Sequence, residues 1–227
     1  MRLLRVMTLA TLAASAVGAA HGQVFVNLDF ESATVPGNLP VMLSWEEAAP
    51  GWSHSPGDDT HGVYYRYTHV GTTQWFQLLD AALQPGNVLA GRFSLAFSSG
   101  YDQSNVANPN WVNAYLSQTA VVPATAMSMH FLATGPLEVY VAGERRTLVA
   151  QPGAGWAVDV SEFSGQLVDV RFQNASGLMH DPVVLDNIGF SPVAVVPEPA
   201  AALLFLTGLV ALAGCSRSAL RRTPSAA

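Results

Sequence analysis

A short segment of the chain concentrates side chains suited to acid–base and metal chemistry. Residues 52–62 read WSHSPGDDTHG and contain His54, Asp58, Asp59 and His61. Imidazole nitrogens and carboxylates bind transition metals, and they also exchange protons near neutral pH. The spacing matches no strong metal motif, such as two histidines one helical turn apart. The alternative is a Pro-Gly-Asp-Asp turn before a strand. Both interpretations stay open, and His54 and Asp58 are candidate ligand-binding residues.

Aromatic rings offer a second kind of chemistry, because the apolar C–H faces of sugars stack on them. Trp52 begins the histidine-containing segment, and Tyr101 and Trp111 bracket the polar segment 102–110. The alternative is that such rings fill the core of the domain. We take Trp52 as a candidate ligand-binding residue, and Tyr101 and Trp111 as the preferred exposed pair.

Signals for a nucleophilic or glycosidic active site are weak. The chain has no Gly-x-Ser-x-Gly sequence, and its single cysteine, Cys215, lies near the C-terminus. The carboxylate pairs Glu46-Glu47 and Asp58-Asp59 are adjacent in sequence. Glycosidases instead place two carboxyl groups on opposite sides of the scissile bond. We therefore predict no catalytic residue and expect a protein that is not an enzyme.

The elements that position these residues are predicted to be short β-strands. Apolar and polar residues alternate in runs such as 127–131, 137–141 and 168–172, and Gly and Pro interrupt the chain between them. A first strand is expected over 24–30, and the one helical candidate is 74–83. Many short strands without intervening helices indicate an all-β fold, an antiparallel sandwich or jelly roll.

The order of several short motifs resembles the galactose-binding-like jelly roll of carbohydrate-binding modules. The motifs are Asn27-Leu28-Asp29-Phe30-Glu31, then Pro50-Gly51-Trp52, and finally Val184-Leu185-Asp186-Asn187-Ile188. This resemblance covers most of residues 24–191 and implies an antiparallel jelly-roll β-sandwich. Sugar binding is a weaker implication, because a fold does not by itself imply a function.

The same resemblance implies a structural calcium ion at Glu31 and Asp186. In such jelly rolls the first and last strands lie side by side, and acids at these two positions often hold Ca²⁺. Calcium binds several hard oxygen ligands, which carboxylates and loop carbonyls supply. The alternative is that both carboxylates accept hydrogen bonds from the backbone at strand ends.

The C-terminal region has the pattern of a membrane-sorting signal. Val196, Pro197, Glu198 and Pro199 precede an uncharged, mostly apolar run, and Arg217, Arg221 and Arg222 follow it. Arginine is costly at the centre of a bilayer, so the basic end should stay cytoplasmic while the run inserts. A buried core helix is the alternative. The order of the parts resembles the PEP-CTERM sorting signal of Gram-negative bacteria, which exosortases process.

The N-terminus agrees with export. Arg2 and Arg5 precede an apolar run that ends in small residues, as in a secretory signal peptide. The predicted organisation is a signal peptide (1–22), a β-sandwich domain (23–191), a linker with the Pro-Glu-Pro motif (192–199), a transmembrane helix (200–216) and a basic cytoplasmic tail (217–227).

Charge limits the partners of the predicted domain. Outside the two terminal signals, five arginines face fifteen acidic residues, and the chain has no lysine. Nucleic-acid binding requires a basic surface, so a nucleic-acid partner is not expected. Cations and neutral sugars suit this surface better.

These observations predict an exported, non-enzymatic protein of a Gram-negative cell surface, outer membrane or extracellular matrix. An exosortase-type protease would process it after transient anchoring in the inner membrane. The PEP-CTERM resemblance implies a link to exopolysaccharide and biofilm, and exopolysaccharide is the expected ligand. The alternatives are a carbohydrate-active lyase or glycosidase on the same fold, and a purely structural surface module.

Mass spectrometry of the mature protein tests the two terminal signals. We expect an N-terminus at Gln23, after removal of residues 1–22, and a C-terminus close to Pro197–Pro199. A mature surface protein that still carried Arg221 and Arg222 would contradict the sorting interpretation.

Overall fold

The computed structural model describes residues 23–38, 40–56, 62–66, 71–102 and 110–195, and within them the chain is nearly all β. A four-residue helix, α1 (Trp45–Ala48), and a 3-10 turn, Ser161–Phe163, are the helical elements of these ranges. The strands in chain order are β1 (Met42–Leu43), β2 (Ser53–His54), β3 (Val63–Tyr64), β4 (Trp75–Asp80), β5 (Phe93–Ser98), β6 (Gly100–Tyr101), β7 (Trp111–Val112), β8 (Tyr115–Val121), β9 (Ser128–Thr134), β10 (Leu137–Val141), β11 (Glu144–Arg146), β12 (Val149–Ala150), β13 (Gly155–Asp159), β14 (Leu167–Asn174) and β15 (Val183–Ser191).

Among the described residues, the strands form two large sheets and a small hairpin. The larger sheet has eight strands in the order β1-β3-β4-β5-β15-β9-β13-β12. The smaller has five in the order β11-β10-β14-β8-β2, and β6 pairs with β7 separately. Neighbours are antiparallel except for the short contact between β3 and β4. The predicted all-β class is confirmed at this level.

The two large sheets share one hydrophobic core. Side chains of a strand alternate between its faces, so every second residue points inward. Phe131 of β9 meets Phe172 of β14 edge to face at 5.1 Å between ring centroids, which joins the two sheets. Other apolar residues buried in this core are Phe93, Leu95, Phe97, Leu116, Met129, Val139, Val141, Val168, Val170, Val183 and Leu185. Burial of each such side chain contributes ~1.5–3 kcal/mol.

The strand predicted over residues 24–30 is absent. Asn27 and Phe30 have φ angles of 49° and 57°, which turn the chain instead of extending it. The segment is still held against both sheets, because Gln118 bonds the backbone of Val26 and the Ile188 N–H donates to Leu28. Glu31 therefore reaches the end of the sandwich from a turn and not from a strand.

The helix suspected over residues 74–83 is also wrong. Residues Trp75–Asp80 form β4 in the middle of the larger sheet, and all six are buried. Phe76 and Leu78 belong to the main core, whereas Trp75 and Leu79 form a second, small apolar cluster with Ala96 of β5. Both faces of this strand carry large apolar groups, which hides the alternation that would identify it.

No helix within the described ranges is long and apolar enough to cross a membrane. The predicted transmembrane helix at 200–216 lies outside the described residues, as do residues 1–22.

Candidate functional site

Trp52 lies in the core and not on a ligand surface. The residue is 7% exposed, and its indole N–H donates to the Asn27 carbonyl at 2.9 Å. Its ring packs on Phe30 of the N-terminal turn and on Phe172 of β14. In this fold Trp52 closes the sandwich over the N-terminal turn, which corrects its assignment as a sugar-stacking residue.

His54 is held by an aromatic neighbour. Its imidazole stacks on Trp45 of α1 with centroids 3.9 Å apart and an interplanar angle of 8°. Nδ1 lies 2.9 Å from the Ser55 carbonyl oxygen, so this nitrogen carries a proton. The geometry explains the position of the ring without a metal. Asp58 lies outside the described residues, as do 196–199 and Arg217, Arg221 and Arg222 of the sorting motif.

Tyr101 and Trp111 form the aromatic pair that the sequence suggests. They lie opposite each other in the β6–β7 hairpin, with ring centroids 5.4 Å apart and planes at 86°. The Trp111 indole N–H donates to the Asn113 side chain at 3.0 Å. Tyr101 is 37% exposed. The pair is outside the main core, and the bond to Asn113 orients the Trp111 indole.

Glu31 and Asp186 converge on one loop, the connection between β4 and β5 at residues 81–92. Glu31 accepts the N–H groups of Arg92 and Phe93 through Oε1, at 2.6 and 2.9 Å. Asp186 accepts the Ala90 N–H at 2.9 Å and the Ser94 hydroxyl at 2.6 Å, both through Oδ2. Two residues far apart in sequence therefore hold the same end of this loop.

The Asp186 carboxyl is almost completely buried, with 1% of its surface exposed. Burial raises its pKa to about 6, and the negative charge of Glu31 adds to the increase. Hydrogen bonds from Ser94, Ala90 and Asn187 act in the opposite direction but do not restore the ordinary pKa. Asp186 thus titrates at a higher pH in the folded chain than in the unfolded one.

Asp80, which is not among the candidate residues predicted from the sequence, holds the other end of the loop. It accepts the Tyr65 hydroxyl at 2.6 Å, the Arg92 guanidinium at 3.0 Å and the Ala82 N–H at 2.8 Å. Burial alone would raise the pKa of Asp80, but hydrogen bonds from Arg92, Tyr65 and Ala82 outweigh it and lower the pKa. Burial and the same carboxylate raise the pKa of Tyr65 to about 12.

Gly91 is required where the loop meets Glu31. Its φ angle is +58°, in the left-handed region that favours glycine. A Cβ atom there would also collide with Glu31 Oε1. In the sequence, the contact between Gly91 and Glu31 is indicated by no more than the Gly91-Arg92 pair before β5.

Calcium was the ligand implied for Glu31 and Asp186. The described residues contain no group of three or more His, Cys, Asp or Glu side chains that could hold a metal ion. Calcium takes 6–8 oxygen ligands, whereas the carboxylate oxygens here accept N–H and O–H groups. The donor set fits backbone hydrogen bonding, the alternative that the sequence left open. Calcium stays a prediction.

Comparison with known proteins adds little to this geometry. No protein-family model matches the chain, and no curated protein gives a significant match. A solved structure of the carbohydrate-binding module TmCBM61 in complex with beta-1,4-galactotriose is similar at a TM-score of 0.35 and 14% identity. That match covers 74% of this chain and 97% of the other. A TM-score this low carries no conclusion about this chain.

Replacing Asp186 by Asn should remove a pH-dependent part of the stability. Because the folded pKa is raised, protonation of Asp186 favours the folded state. This stabilisation is complete below pH ~4 and is lost as the pH rises through about 6. Asn does not titrate, so the unfolding free energy of the wild type minus that of the variant should fall by about 2 kcal/mol between pH 4 and 7.

Urea denaturation in EDTA at several pH values measures this difference. Asp169→Asn, on a partly exposed carboxylate of β14, is the matched control and should show a change below ~0.5 kcal/mol. A wild-type–variant difference that stays constant from pH 4 to 7 would show that the pKa of Asp186 is not raised in the folded chain. A calcium-dependent rise in Tm that is lost in Asp186→Asn would establish the ion instead.

Proposed function

We propose that this protein is an exported, non-enzymatic surface or matrix protein whose sandwich binds extracellular polysaccharide. The observation that carries the proposal is the Tyr101–Trp111 pair, whose rings lie edge to face outside the main core. Large rings outside a core are candidates for recognition because they offer rigid contact area at a low entropic cost.

The hairpin supports a binding role for the pair. The Tyr101 N–H bonds the Thr72 carbonyl at 2.9 Å, and the Trp111 indole is held by Asn113. These bonds hold the Tyr101 backbone and the Trp111 indole in place, which lowers the ordering cost of association. A sugar ring that lies on such a surface contributes its C–H face to the aromatic ring and its hydroxyls to the solvent-facing side.

The charge of the domain favours a neutral polysaccharide over a polyanion. Five arginines against fifteen acidic residues give residues 23–195 a formal charge of about −10. Several of the arginines are engaged by carboxylates, as Arg92 is by Asp80 and Arg145 by Glu138. A polyanion would approach against this net charge, whereas a neutral glycan would not.

The perturbed carboxylates support a structural and not a catalytic role. Asp80 and Asp186 are buried, and their oxygens accept hydrogen bonds from residues in and next to the loop at 81–92. A general acid or base must reach the substrate, and these groups face the protein. The rival hypothesis of a lyase or glycosidase used the loop of His54, whose ring is covered on one face by Trp45.

Export and sorting complete the proposal. The signal peptide at 1–22 and the Pro-Glu-Pro segment with its apolar run and arginines support passage through the inner membrane and exosortase-type cleavage. A jelly-roll arrangement of the sandwich remains our interpretation of the strand order. Together these features suit a protein that acts among the polysaccharides of a Gram-negative cell surface.

Binding to a glycan array of neutral and acidic polysaccharides tests the proposal. Alanine at Tyr101 or Trp111 should weaken binding about tenfold, or ~1.4 kcal/mol, because each variant removes a stacking surface. Tyr140→Ala is the control, since its side chain lies on β10 with its hydroxyl bonded to Glu138. Undiminished binding by both alanine variants would refute the role of the pair, and released sugar products would refute the non-enzymatic assignment.

A further inference from the structure

A groove lies on the outer face of the larger sheet, away from the main core. Its floor follows a register row across four strands, in which Gln77 pairs with Ala96, Ala96 with Val184, and Val184 with Thr134. Residues of the β4–β5 loop form one wall, and the groove has a volume of about 370 Å³. This size is at the lower end of the range for small-molecule sites, ~300–1,000 Å³.

Three residues that line this groove each have a buried polar atom without a hydrogen-bond partner: Trp75 Nε1, Gln77 Nε2 and Gln84 Oε1. Trp75 is 7% exposed and Gln77 3%, so neither side chain is solvated by bulk water. Native structures satisfy most of their buried polar groups, and each exception needs an explanation. The described residues contain five such atoms, and these three share one groove.

The chemistry of the lining selects the ligand. The indole N–H of Trp75 and the side-chain amide N–H of Gln77 are donors, and the side-chain oxygen of Gln84 is an acceptor. The apolar part comes from Leu79, Ala96 and Val184, and none of the described residues that line the groove is charged. A charged ligand would lose its hydration there without gaining a counter-charge. A neutral ligand with hydroxyls and an apolar C–H face satisfies both parts of the lining.

The wall of the groove is held in place before any ligand binds. The Ala82 N–H bonds Asp80 at 2.8 Å, and the Leu89 N–H bonds the Ser94 hydroxyl at 2.9 Å. Between these two bonds, the backbone N–H of Asn87 donates to the backbone carbonyl of Gln84 at 3.0 Å. A wall fixed in this way lowers the ordering cost of association.

We propose that the groove bordered by Trp75, Gln77 and Gln84 is a carbohydrate site that takes one neutral sugar unit. It is separate from the Tyr101–Trp111 pair, and its assignment rests on the groove alone. In this site the two N–H groups donate hydrogen bonds to sugar hydroxyls, and the side-chain oxygen of Gln84 accepts a hydrogen bond from a hydroxyl. The C–H face of the sugar packs on the apolar floor.

The test is a titration of the ¹⁵N-labelled full-length protein with glucose, galactose and mannose, followed by the indole N–H signals. Concentrations up to ~10 mM cover a Kd near 1 mM. The Trp75 signal should shift and saturate with at least one of these sugars, and glucuronate should leave it unchanged. The Trp111 signal reports the aromatic pair independently, so the two sites succeed or fail separately.

Gln77→Leu is the decisive variant, because it removes the unpartnered amide while keeping a side chain of similar size. We expect the Trp75 shift to be lost or its Kd to rise at least tenfold, with a Tm equal to or above that of the wild type. Gln173→Leu, on a half-buried glutamine of β14, is the matched control and should bind as the wild type does.

Three outcomes would overturn the proposal. They are the absence of any Trp75 shift with the neutral sugars, an equal shift with glucuronate, and a clear fall in the Tm of Gln77→Leu. The last would show that the Gln77 amide is partnered inside the fold. A shift of Trp111 without Trp75 would reject the groove and leave the proposed function standing.

Discussion

The connection between β4 and β5 crosses the outer face of the larger sheet, and three carboxylates tie it down. Asp80 holds its start, and Glu31 and Asp186 hold its end, through hydrogen bonds to backbone N–H groups and to Arg92 and Ser94. Hydrogen bonds to charged groups contribute more than neutral ones, about 1.5–3 kcal/mol each. The position of the loop therefore depends on acids contributed by three distant parts of the chain.

This constraint explains why β4 and β5 are buried on both faces. An antiparallel sheet commonly exposes one face to water, but here the loop covers Trp75, Leu79 and Ala96 on the outer face of β4 and β5. Covering that face also buries Asp186, which raises its pKa. The same loop supplies one wall of the groove. One element therefore both covers the outer face of the sheet and helps to form the candidate sugar site.

The strand composition of the sandwich could be predicted from the sequence, because Phe93, Leu95 and Phe97 alternate with small residues in β5. The approach of Glu31 to Asp186 could also be predicted, through resemblance and not through periodicity. The turn at Asn27 and Phe30 could not, since positive φ angles at non-glycine residues leave no clear pattern. Gln77 could not be predicted as a site residue, because apolar residues on both faces of β4 imitate a helix.

Amide hydrogen exchange of the free protein is the most direct test of whether the loop is fixed in advance. The N–H groups of Ala90 and Arg92 donate to Asp186 and Glu31, so both should exchange at least tenfold more slowly than an unbonded loop amide. Substitution of Glu31 by Ala should accelerate exchange at Arg92. If Ala90 and Arg92 of the wild type exchanged as fast as amides of an open loop, the carboxylates would not hold the wall. The groove would then not be formed before its ligand binds.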